Sequence, residues 1–234
     1  MTNKMKMYSG ILLFSFVFLL SNSFAQKAPN GIVLGKDKTE FLDKTEITVS
    51  EWLFYHGYMM NKFGENSIEA QQTLPDTALL RQVYGFSFFP VLGSSTKETV
   101  QNIREQHDKF PMTCVSYQQV LDYCQWRADR VNERWQLKKK SYHIIYTLPS
   151  KEDYDKAMQK AIISQNQPLS SVTIKNKFTG LTDNVAEYTY DKEIIIAGGN
   201  TSTLEITDNP SQLVGFRCKA IVKKTYKYPI TPKF

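Results

Sequence analysis

The chain has 234 residues, 41% of them hydrophobic and 13% aromatic, with three cysteines and a formal net charge of +6. That length is enough for one domain with a sizeable core, and one domain is expected. The basic excess is scattered except for Lys138-Lys139-Lys140 and the late group Lys219, Lys223, Lys224 and Lys227. Neither group is interleaved in a nucleic-acid-binding motif, so no nucleic-acid partner is expected. The first reads as a solvated loop and the second as the exposed face of a terminal strand.

The first 25 residues read as a secretory signal peptide. Lys4 and Lys6 precede an apolar run over 11–20, and Ser23-Phe24-Ala25 offers small residues at a cleavage position before Gln26. The run is too short for the ~20 residues that a membrane-spanning helix needs, and no cysteine near the cleavage position could carry a lipid. Export to the periplasm or the extracellular space is therefore expected, with no membrane span after cleavage.

Residues 26–39, with Pro29, Gly31 and Gly35, read as a lead-in, and 40–43 as a strand. Thr48-Val-Ser-Glu51 has the S/T-x-x-E form that satisfies free amides at a helix start. Behind it Val49, Trp52, Leu53, His56 and Met60 recur at helical spacing, predicting a core-facing helix over 49–62. Residues 64–110 read as a long, loop-rich region around an apolar cluster at 84–92. Ser116-Tyr-Gln-Gln119 is a second capping box, and Tyr117, Val120, Leu121, Cys124, Ala128 and Val131 fall on one side of the helix that follows it. The β-rich run 142–148 stops at Pro149, and Ser150-Lys-Glu-Asp153 opens a third helix with Tyr154, Ala157, Met158, Ala161 and Ile162 at its apolar positions. Strands are expected over 171–175, 194–197 and 215–224, with breaks at Gly198-Gly199 and Asn209-Pro210. The class is mixed α+β with many irregular connections, a 40–224 domain and a 225–234 tail.

The chemistry-bearing residues are few. Cys114, Cys124 and Cys218 form no CxxC, and export would place them where a disulfide persists, with one cysteine left over. His56, His107 and His143 fit no metal-ligand spacing.

The order of the segments carries more than any one of them. Phe41-Leu-Asp-Lys-Thr-Glu-Ile-Thr48 is followed by Phe110-Pro-Met-Thr-Cys-Val-Ser116, by Asp122-Tyr-Cys-Gln-Trp126 and by Tyr146-Thr-Leu-Pro-Ser-Lys-Glu-Asp-Tyr154. Gly180-Leu-Thr-Asp-Asn-Val-Ala-Glu-Tyr-Thr189, Gly198-Gly199 and Gly215-Phe-Arg-Cys218 complete the series. The series resembles the formylglycine-generating enzyme (sulfatase-modifying factor) family, whose segments read D-x-T-E-V-T, P-V-x-x-V-S-W, Y-C-x-W, R-L-P-T-E-A-E-W-E, G-N-V-W-E-W, G-G-S and G-F-R. The resemblance spans about 40–222. It implies a single irregular domain of few helices and short strands, related to the C-type lectin fold. It also implies a disulfide between Cys124 and Cys218, and a calcium site to which Asn184 and Glu187 would contribute.

Departures from the family pattern bear on activity. Catalytic members hold copper through a cysteine pair between G-G-S and G-F-R, and residues 200–214 contain no cysteine. Soft Cu(I) selects thiolates, so copper and the oxidase reaction are not expected, and no catalytic residue is assigned. Iron held by histidines, as in the sulfoxide-synthase branch, has no clustered histidine motif here. The Gly of G-N-V-W-E-W is Asp183, and an upstream ligand position is missing, which weakens the case for calcium. The bland reading of that segment is a turn at Asn184 and a local hydrogen bond or salt bridge from Glu187.

The expected function is a non-catalytic scaffold or binding domain whose partner is another cell-envelope or secreted protein, as in gliding or secretion-apparatus assembly. The alternatives are an enzyme working through Cys114, Asp183, Glu187 or His143, and a carbohydrate- or peptide-binding module.

Overall fold

The computed structural model describes residues 31–84, 109–160, 181, 184–191, 194–195, 201–202 and 210–225. The expected signal peptide, the strand over 171–175, the Gly198-Gly199 break, Asp183, His107 and residues 226–234 lie outside them.

Two small sheets and a set of helices make an α+β domain. The first sheet has the order β1 (Gly31–Val33), β2 (Glu40–Asp43), β8 (Lys219–Lys224) and β3 (Tyr142–Thr147), antiparallel throughout. β1 falls inside the segment expected to be a lead-in. The second sheet has the order β6 (Thr201–Ser202), β5 (Ile194–Ile195), β4 (Ala186–Tyr188) and β7 (Val214–Gly215), with β4 and β7 parallel. The strand expected over 215–224 is thus divided. Gly215 ends β7, Lys219 starts β8, and Phe216, Arg217 and Cys218 between them are buried outside either strand.

Both capping boxes form. Thr48 caps α1 (Val49–Phe63) and exchanges bonds with Glu51, while Ser116 caps α4 (Tyr117–Leu137) and exchanges bonds with Gln119. The apolar faces differ in detail from the periodic reading. α1 buries Val49, Trp52 and Tyr55, leaving Leu53, His56 and Met60 half-buried. α4 buries Tyr123 and Arg127 beside Tyr117, Val120, Cys124, Ala128 and Val131, and leaves Leu121 half-buried. Trp52 stacks on Tyr123 at 5.5 Å and meets Tyr55 and Phe216 edge-on, so one aromatic cluster joins α1, α4 and the segment between β7 and β8. A second apolar cluster of Leu34, Leu42, Tyr154, Ala157 and Leu181 lies between β2 and α5 (Lys151–Lys160).

The region expected to be loop contains two helices in its described part, α2 (Ile68–Gln71) and α3 (Thr77–Tyr84). Their starts are set by side chains. Ser67 accepts from the Ala70 amide, and Asp76 accepts from those of Ala78 and Leu79. The loop between them is tied down, because Trp52 Nε1 donates to the Thr73 carbonyl at 3.0 Å and Gln119 Nε2 to that of Leu74 at 2.6 Å.

β3 is an edge of its sheet, and edges with free backbone groups invite mispairing. Asn132 of α4 blocks this one: its amide donates to the Ile144 carbonyl and accepts from the Ile144 amide, both at 2.8 Å. Gly215 is required where β7 passes close to its neighbours, since a Cβ there would sit 2.9 Å from Val185 Cγ2 and 3.1 Å from the Met112 carbonyl.

Candidate functional site

Two buried arginine–carboxylate clusters bring together Asn184, Glu187, Cys124 and Cys218 of the residues that the sequence singled out. The first surrounds Arg217, which is fully buried in the connection between β7 and β8. Its Nε donates to Glu187 Oε2 at 2.8 Å and Oε1 at 3.0 Å, and its Nη2 to Oε1 at 2.6 Å. Nη1 donates to the carbonyls of Asp43 and Lys44. Burial would lower the pKa of this guanidinium, but the charge and hydrogen bonds of Glu187 and the charge of Glu46 together raise it above its ordinary value.

Glu187, on β4, also accepts a bond from the Tyr154 hydroxyl of α5. Burial, and then the neighbouring Glu187 charge, push that phenol well above its ordinary value, so Tyr154 stays protonated and donates. Glu46 is buried on the other side, with Oε2 3.9 Å from Arg217 Nη2 and Oε1 accepting from Asn184 Nδ2 at 2.8 Å. Asn184 and Glu187 are thus joined through Glu46 and Arg217. Among the described residues, Asn184 Oδ1 is buried without a hydrogen-bond partner.

The second cluster lies across β2 and α4. Arg127 donates to Asp43 through Nη1 at 2.5 Å and Nη2 at 3.1 Å, and Asp43 also accepts from the Cys218 amide at 3.1 Å. The Tyr146 ring covers the guanidinium at 4.3 Å, and burial raises its phenol to about 12. Among the described residues, Arg127 Nε and the Tyr146 hydroxyl have no hydrogen-bond partner. Beside this pair, the sulfurs of Cys124 and Cys218 face each other at 3.5 Å, both buried and not bonded. Burial raises the Cys218 thiol well above its ordinary value.

The other candidates are dispersed. Cys114 is fully buried, with its backbone in the left-handed region at φ 59°. Its amide bonds to the Ser211 carbonyl and its carbonyl accepts from the Asp76 amide, so the strained residue knots three segments. Burial raises its thiol, away from the thiolate form that a nucleophile needs. His56 meets Thr73 Oγ1 at 2.6 Å, and His143 lies on β3 opposite Lys223. Among the described residues, no three His, Cys, Asp or Glu side chains converge as a metal site.

A family model for the sulfatase-modifying factor enzyme 1-like domain matches residues 38–193, more than half of the chain. The chain belongs to this family. No curated protein and no solved structure matches it. The match contains Glu46, Cys124, Tyr154, Asn184 and Glu187, and it ends before Arg217 and Cys218.

The calcium site expected by resemblance to this sulfatase-modifying-factor-like family needs six to eight oxygens around the ion. Glu187 offers none that is uncommitted, because both its oxygens accept from Arg217 and one also from Tyr154. A divalent cation on Glu187 would also stand beside a buried guanidinium. Of Asn184 and Glu187, only Asn184 Oδ1 has spare accepting capacity among the described residues, so these two residues do not fit calcium as placed.

Arg217, Arg127, Asp43, Glu46 and Tyr154 were not singled out from the sequence. The available signal was a charge set among apolar residues. Arg217 sits in Gly-Phe-Arg-Cys, Glu46 in Lys-Thr-Glu-Ile, and Arg127 three positions after Cys124 on an otherwise apolar helix face.

Proposed function

We propose that the protein is an exported, non-catalytic member of the sulfatase-modifying-factor-like family, a scaffold or binding component that joins another cell-envelope or secreted protein. Gliding or secretion-apparatus assembly is the setting that fits this reading best. The observation that carries it is the Glu187–Arg217 pair. Two charged residues of the family's motifs spend their hydrogen bonds on each other inside the domain, where they cannot reach a substrate.

Three further facts support the reading. Residues 200–214 offer no cysteine to hold Cu(I). Cys114, Cys124 and Cys218 are all buried. Burial favours the protonated thiol at Cys114 and Cys218. In this proposal Arg217 holds Glu187 inside the domain, and the domain is calcium-independent.

The Cys124–Cys218 pair belongs to the same proposal, as a disulfide formed in an oxidising compartment. Closing a loop between residues so far apart would stabilise the fold by roughly 4–5 kcal/mol in the chain-entropy model. The two sulfurs already face each other at 3.5 Å.

The test is turnover. The purified protein, supplied with Cu(I), oxygen and a sulfatase-derived peptide containing one cysteine, is expected to leave the thiol unconverted by mass spectrometry. Formation of an aldehyde on that peptide would show the family's oxidase chemistry and end the non-catalytic reading.

A further inference from the structure

The two lysine groups that look unrelated in the sequence meet at one end of the first sheet. α4 ends at Leu137, which is 85% exposed, and the chain turns at once through the exposed Lys138, Lys139 and Lys140. The turn is pinned, because the Lys139 amide donates to the Gln136 carbonyl and the Lys140 amide to that of Trp135, both at 2.9 Å. β3 then begins at Tyr142, whose register partner on β8 is Lys224. Directly opposed residues of an antiparallel pair share a face, so Lys224 stands beside Tyr142 on the α4 side of the sheet. Tyr142 is 48% exposed and packs edge-on against Trp135, with ring centroids 6.4 Å apart.

The surface thus carries lysines from both groups around a protruding leucine and a tyrosine. No acidic residue occurs over 136–144 or 219–225. On the last turns of α4, Glu133 is held by Arg130 at 2.6 Å. The lysines are not needed to finish the helix, since the backbone amides of Lys138, Lys139 and Lys140 already take its last free carbonyls.

We propose that this end of the domain docks on an anionic lipid bilayer. Lysine ammonium groups bind phosphate headgroups, Leu137 enters the acyl boundary, and the amphipathic rings of Tyr142 and Trp135 sit at headgroup depth. The exposed leucine amid the lysines favours a bilayer over a soluble polyanion, which would use the charges and leave an apolar side chain in water. The inference goes beyond the scaffold reading and does not depend on catalytic status.

The experiment is co-sedimentation of the full protein, its N-terminus fixed by mass spectrometry. The vesicles are phosphatidylcholine alone or phosphatidylcholine mixed with phosphatidylglycerol. Binding is expected on the mixed vesicles only, weakening as salt rises. Each neutralised lysine should cost roughly fivefold in partitioning, so Lys138→Gln/Lys140→Gln/Lys224→Gln should lower it about a hundredfold. Leu137→Ser should lower it about tenfold without changing the salt dependence. All four positions are exposed, and circular dichroism checks that the variants fold. Equal binding to both vesicle types, unaffected by the substitutions, would assign binding to another apolar segment and overturn the proposal. So would lysine-dependent retention on an acidic polysaccharide with no vesicle binding, which would make the partner a soluble polyanion. Absence of binding to either would overturn it as well.

Discussion

The Arg217 and Arg127 clusters use the same chemistry to different degrees of completion. Arg217 approaches Glu187 side-on through Nε and Nη2, and it spends Nη1 on two backbone carbonyls. Arg127 approaches Asp43 end-on and has an Nε without a partner among the described residues, while its flat face is covered by Tyr146. A buried guanidinium stabilises a fold only when its desolvation is offset by good geometry and full hydrogen bonding. The fully engaged Arg217 therefore fixes the junction of β2, β4 and α5. Arg127 shares Asp43 with the Cys218 amide, beside the sulfurs of Cys124 and Cys218.

That contrast can be broken in order of effect. Arg217→Met strands the buried Glu187 carboxylate and should cost about 5 kcal/mol, read as the loss of a cooperative urea transition or a midpoint far below wild type. Cys124→Ser should cost about 4 kcal/mol under oxidising conditions. The loss should be much smaller when both proteins are compared in reductant, which separates the disulfide from packing at the site. Arg127→Met should cost about 3 kcal/mol, because Asp43 retains the Cys218 amide and its partner was less completely engaged.

The smallest effect concerns pH. Burial holds His56 below its ordinary value of 6.5. The unfolded chain therefore takes up the proton more readily, and stability is fully present above that value and is lost as pH falls towards the folded one. A thermal midpoint that drops by a few degrees below neutral pH, with a shallower drop in His56→Gln, is the expected record; parallel profiles would remove His56 from the account.

Local signals were the readable part of this sequence. The Thr48 and Ser116 capping boxes, the strand at 40–43 and the run ended by Pro149 all depend on residues a few positions apart. The caps of α2 and α3, at Ser67 and Asp76, are equally local but sit in a polar stretch with no apolar period to mark the helices they start. For Glu187 the resemblance implies a calcium ligand and the local sequence a nearby hydrogen bond or salt bridge, whereas its partner Arg217 lies 30 residues away and is chosen by the parallel pairing of β4 with β7. The same limit hid the lysine surface. Lys138–140 and Lys224 look like separate solvated runs until the antiparallel register of β3 and β8 brings them together.

The central claim is that the charged motif residues Glu187 and Arg217 build the scaffold and do not serve a metal or a substrate. A double-mutant cycle tests it most directly. Urea unfolding would be measured for the wild type, Glu187→Gln, Arg217→Met and the double variant, each with and without calcium. The account predicts a coupling of at least about 2 kcal/mol between the two positions, unchanged by calcium. Additive losses, together with a calcium-dependent stabilisation of the wild type that Glu187→Gln abolishes, would contradict it and return Glu187 to a metal site.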